Sequence, residues 1–381
     1  LRVRFLNGSP MFEDDGPEDG DEDSESTDSQ SGGLPPPRAN RDCLGHEGVE
    51  RGLLHVINAG SLPHALMFVG PKGVGKATMA FRLARYLLNG PGSGFLPDES
   101  LFVPSDSPVF HRVASGGHPD LLTLAPEGEK TTLDIDTIRK AAPFLRMTAS
   151  NGGWRAIIVD DADTMNRGAQ NALLKILEEP PAKAVLILIC HRGGAMIPTI
   201  RSRCRAIPFQ PLSPDTVSGL LARHSPSGGY DELNIVSALS SGSVGEAIRL
   251  IDGNAGDMLQ TIMGLLSGRP DWKQIHALAD ALGRPGGEKG YVIFRDVFLR
   301  MAEITLRKKA GGEGAEPLPP LETDAFQRLV SEYPLERQEQ IWENLKSRFE
   351  RTESANLDKR QAVLGAFSIF DAKNVRSVPV S

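Results

Sequence analysis

Ala65-Leu66-Met67-Phe68-Val69-Gly70-Pro71-Lys72-Gly73-Val74-Gly75-Lys76-Ala77-Thr78 is the stretch on which the fold turns. Ala65 to Val69 is a short apolar run closed by a glycine, the pattern of a buried strand. From Thr78 to Leu88 the apolar residues Met79, Leu83, Tyr86 and Leu87 return at helical spacing. Between strand and helix, Gly70 to Lys76 fits the pattern GxxxxGK. In that setting glycines let the backbone curl so that its N–H groups face a phosphate, and the helix N-terminus adds positive potential. Gly70, Gly73 and Gly75 supply the curl, and Lys76 is placed to reach the β and γ phosphates. The pattern ordinarily ends in Ser or Thr, whose hydroxyl binds Mg²⁺; this chain has Ala77. Thr78 comes one residue late, roughly 100° around the helix, and does not replace it. The plain alternative is a glycine-rich turn that holds no ligand.

Outward from this loop, strand patterns alternate with helical ones. Leu121 to Leu124, Arg155 to Val159 and Val185 to Ile189 read as strands. Val49 to Ala59, Asp134 to Phe144 and Asn166 to Glu179 read as helices, the last ended by Pro180-Pro181. Strands that are apolar on both sides predict a parallel sheet covered on both faces, an α/β domain. Residues 89–119 are rich in Gly, Pro and Ser and read as a loop or insertion. Beyond Pro211 the strand patterns stop. Ser213 to His224, Asp231 to Ser240 and Val244 to Ile251 read as short helices, followed by a Gly-rich break near 252–256. Tyr291 to Lys308, Asp324 to Tyr333, Leu335 to Glu350 and Asn356 to Ala366 continue the helical pattern. The expected organisation is an acidic arm over 1–37, an α/β domain over 38–210, a small helical domain over 211–255, a larger helical domain over 256–371, and a flexible tail over 372–381.

Charge separates the arm from the body. The 381 residues carry a net charge of -7, but residues 1–37 hold ten acids and two bases, a balance of -8, so the remainder sums to +1. A near-neutral body does not advertise a large nucleic-acid footprint. Residues 13–33, almost without apolar side chains, are expected to be disordered. Leu34-Pro35-Pro36-Pro37 makes a stiff lead-in. The longest uninterrupted apolar run, Ala184 to Cys190, is seven residues, against about 20 for a membrane span. The first ten residues show no secretory pattern. Three dispersed cysteines, Cys43, Cys190 and Cys204, form neither a disulfide framework nor a CxxC zinc module. The expectation is a cytoplasmic protein with no membrane association.

Ile157-Ile158-Val159-Asp160-Asp161-Ala162-Asp163 is an apolar strand ending in acids. Beside a phosphate loop, such a carboxylate holds Mg²⁺, and Asp160 is the candidate. The next residue in an active ATPase is usually a Glu that orients the attacking water; here it is Asp161, one methylene shorter. A displaced carboxylate weakens general-base work steeply. These acids can also simply cap the following helix.

Three further segments make a recognisable set: Leu62-Pro63-His64-Ala65, Asn166 through Asn171-Ala172-Leu173-Leu174-Lys175-Ile176-Leu177-Glu178-Glu179-Pro180-Pro181, and Ile197-Pro198-Thr199-Ile200-Arg201-Ser202-Arg203-Cys204. With the acidic strand end, they resemble the clamp-loader branch of the AAA+ ATPases. The likeness covers residues 38–255 closely and the C-terminal helices in outline. It implies an AAA+ parallel-sheet P-loop domain, a helical lid, and an all-helical collar through which subunits assemble.

In that family the arginine of Ser-Arg-Cys is a finger that enters the ATP site of the neighbouring subunit, and Arg203 holds the position. A guanidinium is always charged and stabilises γ-phosphate charge in the transition state; a surface arginine in an ordinary ion pair is the alternative. The departures from the family pattern concern the chain's own site: Ala77, Asp161, the sensor position after the fourth strand at Cys190 or His191, and Gly245 where catalytic members carry Arg. His191 by itself reads as a polar loop residue at a strand end. His111 and His118 have no third ligand beside them, and residues 89–119 lack the four-Cys zinc insertion of some relatives, so no metal is expected.

The pattern implies a stator, an accessory subunit of a DNA polymerase holoenzyme, with at best a weak ATP/Mg²⁺ site of its own. Its implied partners are a gamma/tau-type motor and a delta-type clamp binder in a pentamer-type hetero-oligomer. The sliding clamp and primer-template DNA are reached through that complex. The rivals are an active gamma/tau-type ATPase, supported by Lys76, and another AAA+ nucleic-acid-dependent ATPase. The apolar stripe Phe294, Val297, Phe298 and Met301 reads as core or subunit contact.

Overall fold

A computed structural model describes residues 3–6, 9–12, 34–90, 100–126, 132–150, 153–224, 229–267, 270–311 and 324–370. The chain divides into two compact units. Unit assignments cut it differently from the expected boundaries: residues 227–240 group with the C-terminal helices, and residues 241–246 with the α/β unit. Within the arm, β1 (Val3–Leu6) and β2 (Ser9–Phe12) pair antiparallel, Val3 opposite Phe12. The expectation of disorder over 13–33 lies outside the described residues.

The α/β unit begins with α1 (Glu47–Asn58), β3 (Ala65–Val69) and α2 (Lys76–Asn89). α3 (Pro108–Ala114) and β4 (Leu121–Leu124) follow. Residues 89–119 are therefore not loop throughout: Ser107 caps α3 by accepting the Val109 N–H, with Pro108 at the first helical position. The single helix expected over Asp134 to Phe144 is two, α4 (Ile135–Arg139) and α5 (Ala141–Arg146). Next come β5 (Arg155–Val159), α6 (Arg167–Glu178), β6 (Ala184–Cys190) and α7 (Pro198–Arg201). The unit closes with β7 (Arg205–Pro208) and α8 (Pro214–His224). β7 is a strand that the sequence pattern did not give away, because its residues are largely exposed.

The five strands are parallel, in the order β4-β5-β6-β3-β7. Alternation along each strand splits the core in two. Leu66, Phe68, Ala156, Ile158, Val185, Ile187 and Ile189 pack on one face with α2. Met67, Ile157, Val159, Leu186, Leu188 and Cys190 pack on the other with α6. Both faces of the central strands are covered, as the apolar runs require. β6, rather than β5, is the neighbour of β3. The residue that leaves β6 therefore emerges between the phosphate loop and the acidic strand end.

The helical unit contains α9 (Tyr230–Leu239), the greater part of α10 (Val244–Asp252), α11 (Ala255–Leu266), α12 (Trp272–Gly283) and α13 (Glu288–Lys309). It ends with α14 (Asp324–Glu332), α15 (Leu335–Ser354) and α16 (Lys359–Ser368). α13 packs against α9, α11, α14 and α15, and α16 against α12 and α15. Phe294, Phe298, Phe349 and Phe367 form an aromatic cluster, with ring centroids 5.2 to 6.2 Å apart. Phe294, Val297, Phe298 and Met301 are fully buried, which makes that stripe the core of this unit. Among the described residues no helix is long and apolar enough to cross a membrane.

Candidate functional site

The phosphate loop is set by its glycines. Gly73 and Gly75 have φ of +76° and +103°, values that favour glycine. A Cβ on Gly70 would meet the Phe209 carbonyl oxygen at 2.3 Å, because β7 runs against β3 there. α2 starts directly at Lys76 behind the left-handed Gly75. His46 supports the loop from outside, its Nε2 lying 2.7 Å from the Val74 carbonyl oxygen. The Gly73 carbonyl accepts the N–H groups of Val244 at 3.0 Å and Gly245 at 3.4 Å. Gly245, the expected site of an arginine, thus lies with its backbone on the loop.

Lys76 is only 2% exposed. Its ammonium donates to the carbonyls of Gly70 at 2.7 Å and Pro71 at 2.5 Å, and stands 2.9 Å from Nδ1 of His191. Burial pulls its pKa from the ordinary 10.5 down to about 8, against the pull of Asp163 and Asp160. The other nitrogen of His191, Nε2, bonds Asp161 Oδ1. Asp161 sits at φ +50°, and the His191 contact lowers its carboxyl pKa. Asp160 is shifted the other way: burial raises it, and the Asp161 charge adds to the rise. Asp163 accepts the backbone N–H of His191 at 3.0 Å and of Arg192 at 3.3 Å.

The structure therefore brings together Gly70, Gly73, Gly75, Lys76, Asp160 and Asp161. Thr78 is buried in α2, one position beyond Ala77. His191 was the residue undervalued from sequence. The sequence offered it only as one of two candidates, with Cys190, for the sensor position, whereas the strand order puts it between Lys76 and Asp161. Three features set these residues apart from an ordinary Mg²⁺-nucleotide site. Lys76 has three N–H groups and three acceptors within the chain, Ala77 offers no hydroxyl, and Gly245 no side chain. The thiols are held inert by burial, which pushes Cys43 and Cys190 up to about 12 and Cys204 to about 11.

Arg203 lies in the turn after α7 and before the edge strand β7. Its Nη1 donates to the Thr199 carbonyl at 3.1 Å, and its Nη2 stands 3.0 Å from Glu178 Oε1. The side chains are 37% and 51% exposed, so the guanidinium is accessible. Cys204 behind it is buried, as expected of a packing residue.

A parallel sheet with one strand inserted between the phosphate-loop strand and the acidic strand, followed by helices, defines an AAA+ P-loop fold. Within that class the α/β region is similar to clamp-loader subunits of the delta-prime type. Residues 45–213 match the family model described as DNA polymerase III, delta subunit. The chain is 36% identical over 192 residues to DNA polymerase III subunit delta' of Pseudomonas aeruginosa, a match covering 49% of this chain and 55% of that protein. It is 32% identical over 219 residues to the Escherichia coli subunit delta', covering 55% and 60%. It is also 31% identical over 235 residues to subunit gamma/tau of Mycobacterium tuberculosis, covering 62% of this chain and 38% of that protein. The matched region spans little more than half the length of the delta' relatives.

Proposed function

We propose that this chain is the stator of a clamp loader: it assembles with a gamma/tau-type motor and a delta-type clamp binder and lends Arg203 to the neighbouring motor's nucleotide. It would thereby support loading of the sliding clamp onto primed DNA. One contrast carries the reading. Lys76 has its whole donor set engaged by two carbonyls of its own loop and by His191, whereas Arg203 stands at the surface with only exposed Glu178 and a carbonyl to leave. The same contrast argues for no ATP turnover by this chain.

Reconstituted complexes carrying Arg203→Ala test it. They should assemble normally, because the residue belongs to no core, and lose DNA-stimulated ATPase and clamp loading. A finger is worth on the order of 10³–10⁵ in rate where it is the main stabiliser; serving one motor site among several, its loss should cost less in total. Arg203→Lys should rescue poorly, since a point charge cannot reproduce the planar fork. Wild-type loading by the Arg203→Ala complex would end the assignment.

A second reading, an active gamma/tau-type motor, draws on the gamma/tau likeness and on the presence of Lys76. It predicts ATP turnover by the isolated chain, and the stator reading predicts none.

A further inference from the structure

We propose that His191 is the residue that closes this phosphate loop, by standing in Lys76's donor set where a nucleotide phosphate would otherwise stand. Replacing it should reopen the loop to a nucleoside triphosphate. The inference rests on reading residues 70–76 as a nucleotide-type loop, and is independent of what Arg203 does in a complex.

An ammonium has three N–H bonds and no acceptor. At Lys76 two go to carbonyls of its own loop, those of Gly70 and Pro71, and the third to Nδ1 of His191. Such carbonyl contacts are local: Gly70 and Pro71 lie six and five residues away, and move with the loop. The His191 contact is the long-range one, reaching across 115 residues of sequence from the end of β6.

For Nδ1 to accept from an ammonium, the ring must carry its proton on Nε2. Asp161 fixes that tautomer, because its carboxylate accepts at Nε2. Asp163 then fixes the ring's position by holding the backbone N–H of His191. Two carboxylates thus orient one imidazole, and the imidazole holds one lysine. The strand order makes this arrangement available, since β6 lies between β3 and β5. A small side chain after β6 could not span the gap and would leave Lys76 one free donor. A phosphate oxygen is the stronger acceptor for that donor, because it is charged.

The experiment uses the full chain alone and N-methylanthraniloyl-ATP as the probe, read by fluorescence anisotropy. His191→Ser should bind the probe about tenfold or more tightly than the wild type, the equilibrium weight of one hydrogen bond to a charged group. The gain should vanish in His191→Ser/Lys76→Ala, and Mg²⁺-ATP should raise the Tm of His191→Ser more than that of the wild type. If His191→Ser loses its native circular dichroism, His191→Asn carries the same titration. A change below tenfold in the folded variant overturns the proposal, as does a gain that persists without Lys76. Because no partner subunit takes part, failure here would leave the Arg203 reading standing, and failure of Arg203→Ala would leave this one standing.

Discussion

Arg203 and Glu178 face each other across 3.0 Å, and the pair ties the Ser-Arg-Cys turn to the last residue of α6. A finger engaged with a neighbour's nucleotide has to leave this pair. The cost is small: exposed ion pairs contribute about 0–1 kcal/mol. Glu178→Gln and Arg203→Ala should therefore each lower the unfolding free energy of the isolated chain by less than ~1 kcal/mol, with a double-mutant coupling no larger. Urea unfolding measures both. A loss above ~2 kcal/mol would make the pair structural, and Arg203 unavailable to a partner.

The phosphate loop keeps its shape for packing reasons even where its chemistry has changed. Gly73→Ala would put a Cβ at φ +76° and 2.3 Å from Ser243 Oγ, a side-chain atom that could yield only by giving up the Glu246 N–H it accepts. The expected cost is about 1–3 kcal/mol, chiefly left-handed strain. Gly70→Ala would meet the Phe209 carbonyl oxygen, also at 2.3 Å, but that atom belongs to backbone that pairs with β3. It should destabilise more than Gly73→Ala in the same urea series. The reverse order would show that β7 yields more easily than a side chain.

Much of this architecture was legible because its strands are apolar on both faces. Ala65–Val69, Leu121–Leu124 and Arg155–Val159 have the bounds that the pattern predicts. β7 escaped because an edge strand such as Arg205–Pro208 buries little and carries no alternation to read. α3 was hidden in a composition rich in Gly and Pro, although Ser107-Pro108 is a helix start in its own right. The loop, the acidic strand end and Arg203 came from local motifs. The contacts of His191 could not, because its partners Lys76 and Asp161 come from other strands, and only the strand order β5-β6-β3 brings the three together.

Glu50 is a second test of the α/β unit, remote from the loop chemistry. Its Oε1 accepts from Arg82 Nη2 at 2.7 Å, Leu101 N–H at 2.6 Å and Ser100 Oγ at 2.9 Å, all in a buried setting. Glu50→Ala strands a buried guanidinium and should cost about 3–5 kcal/mol. Glu50→Gln keeps an acceptor oxygen and should cost less, about 1–3 kcal/mol. Denaturant midpoints for the two variants check the order. Equal losses would mean that the charge contributes nothing beyond the acceptor.

Lys76 gives the pH test. Folding lowers its pKa from the ordinary 10.5 to about 8, and burial is the main cause. Below pH 8 both folded and unfolded chains carry the proton, and the penalty of the buried charge is present in full. From about pH 8 to about pH 10.5 the unfolded chain binds more protons, so this residue's contribution to stability rises with pH and then levels off. Lys76→Met has no such titration. The stability of the wild type relative to Lys76→Met should therefore increase from pH 7.5 to 10.5, by an amount on the order of 2 kcal/mol. Other alkaline titrations, such as that of Tyr291, whose pKa burial raises, occur in both proteins and cancel in the difference. Urea unfolding at pH 7.5, 9 and 10.5 measures it. A difference that stays flat would show that the Lys76 ammonium is as well solvated as an exposed lysine, and that its carbonyl and imidazole contacts do not enclose it.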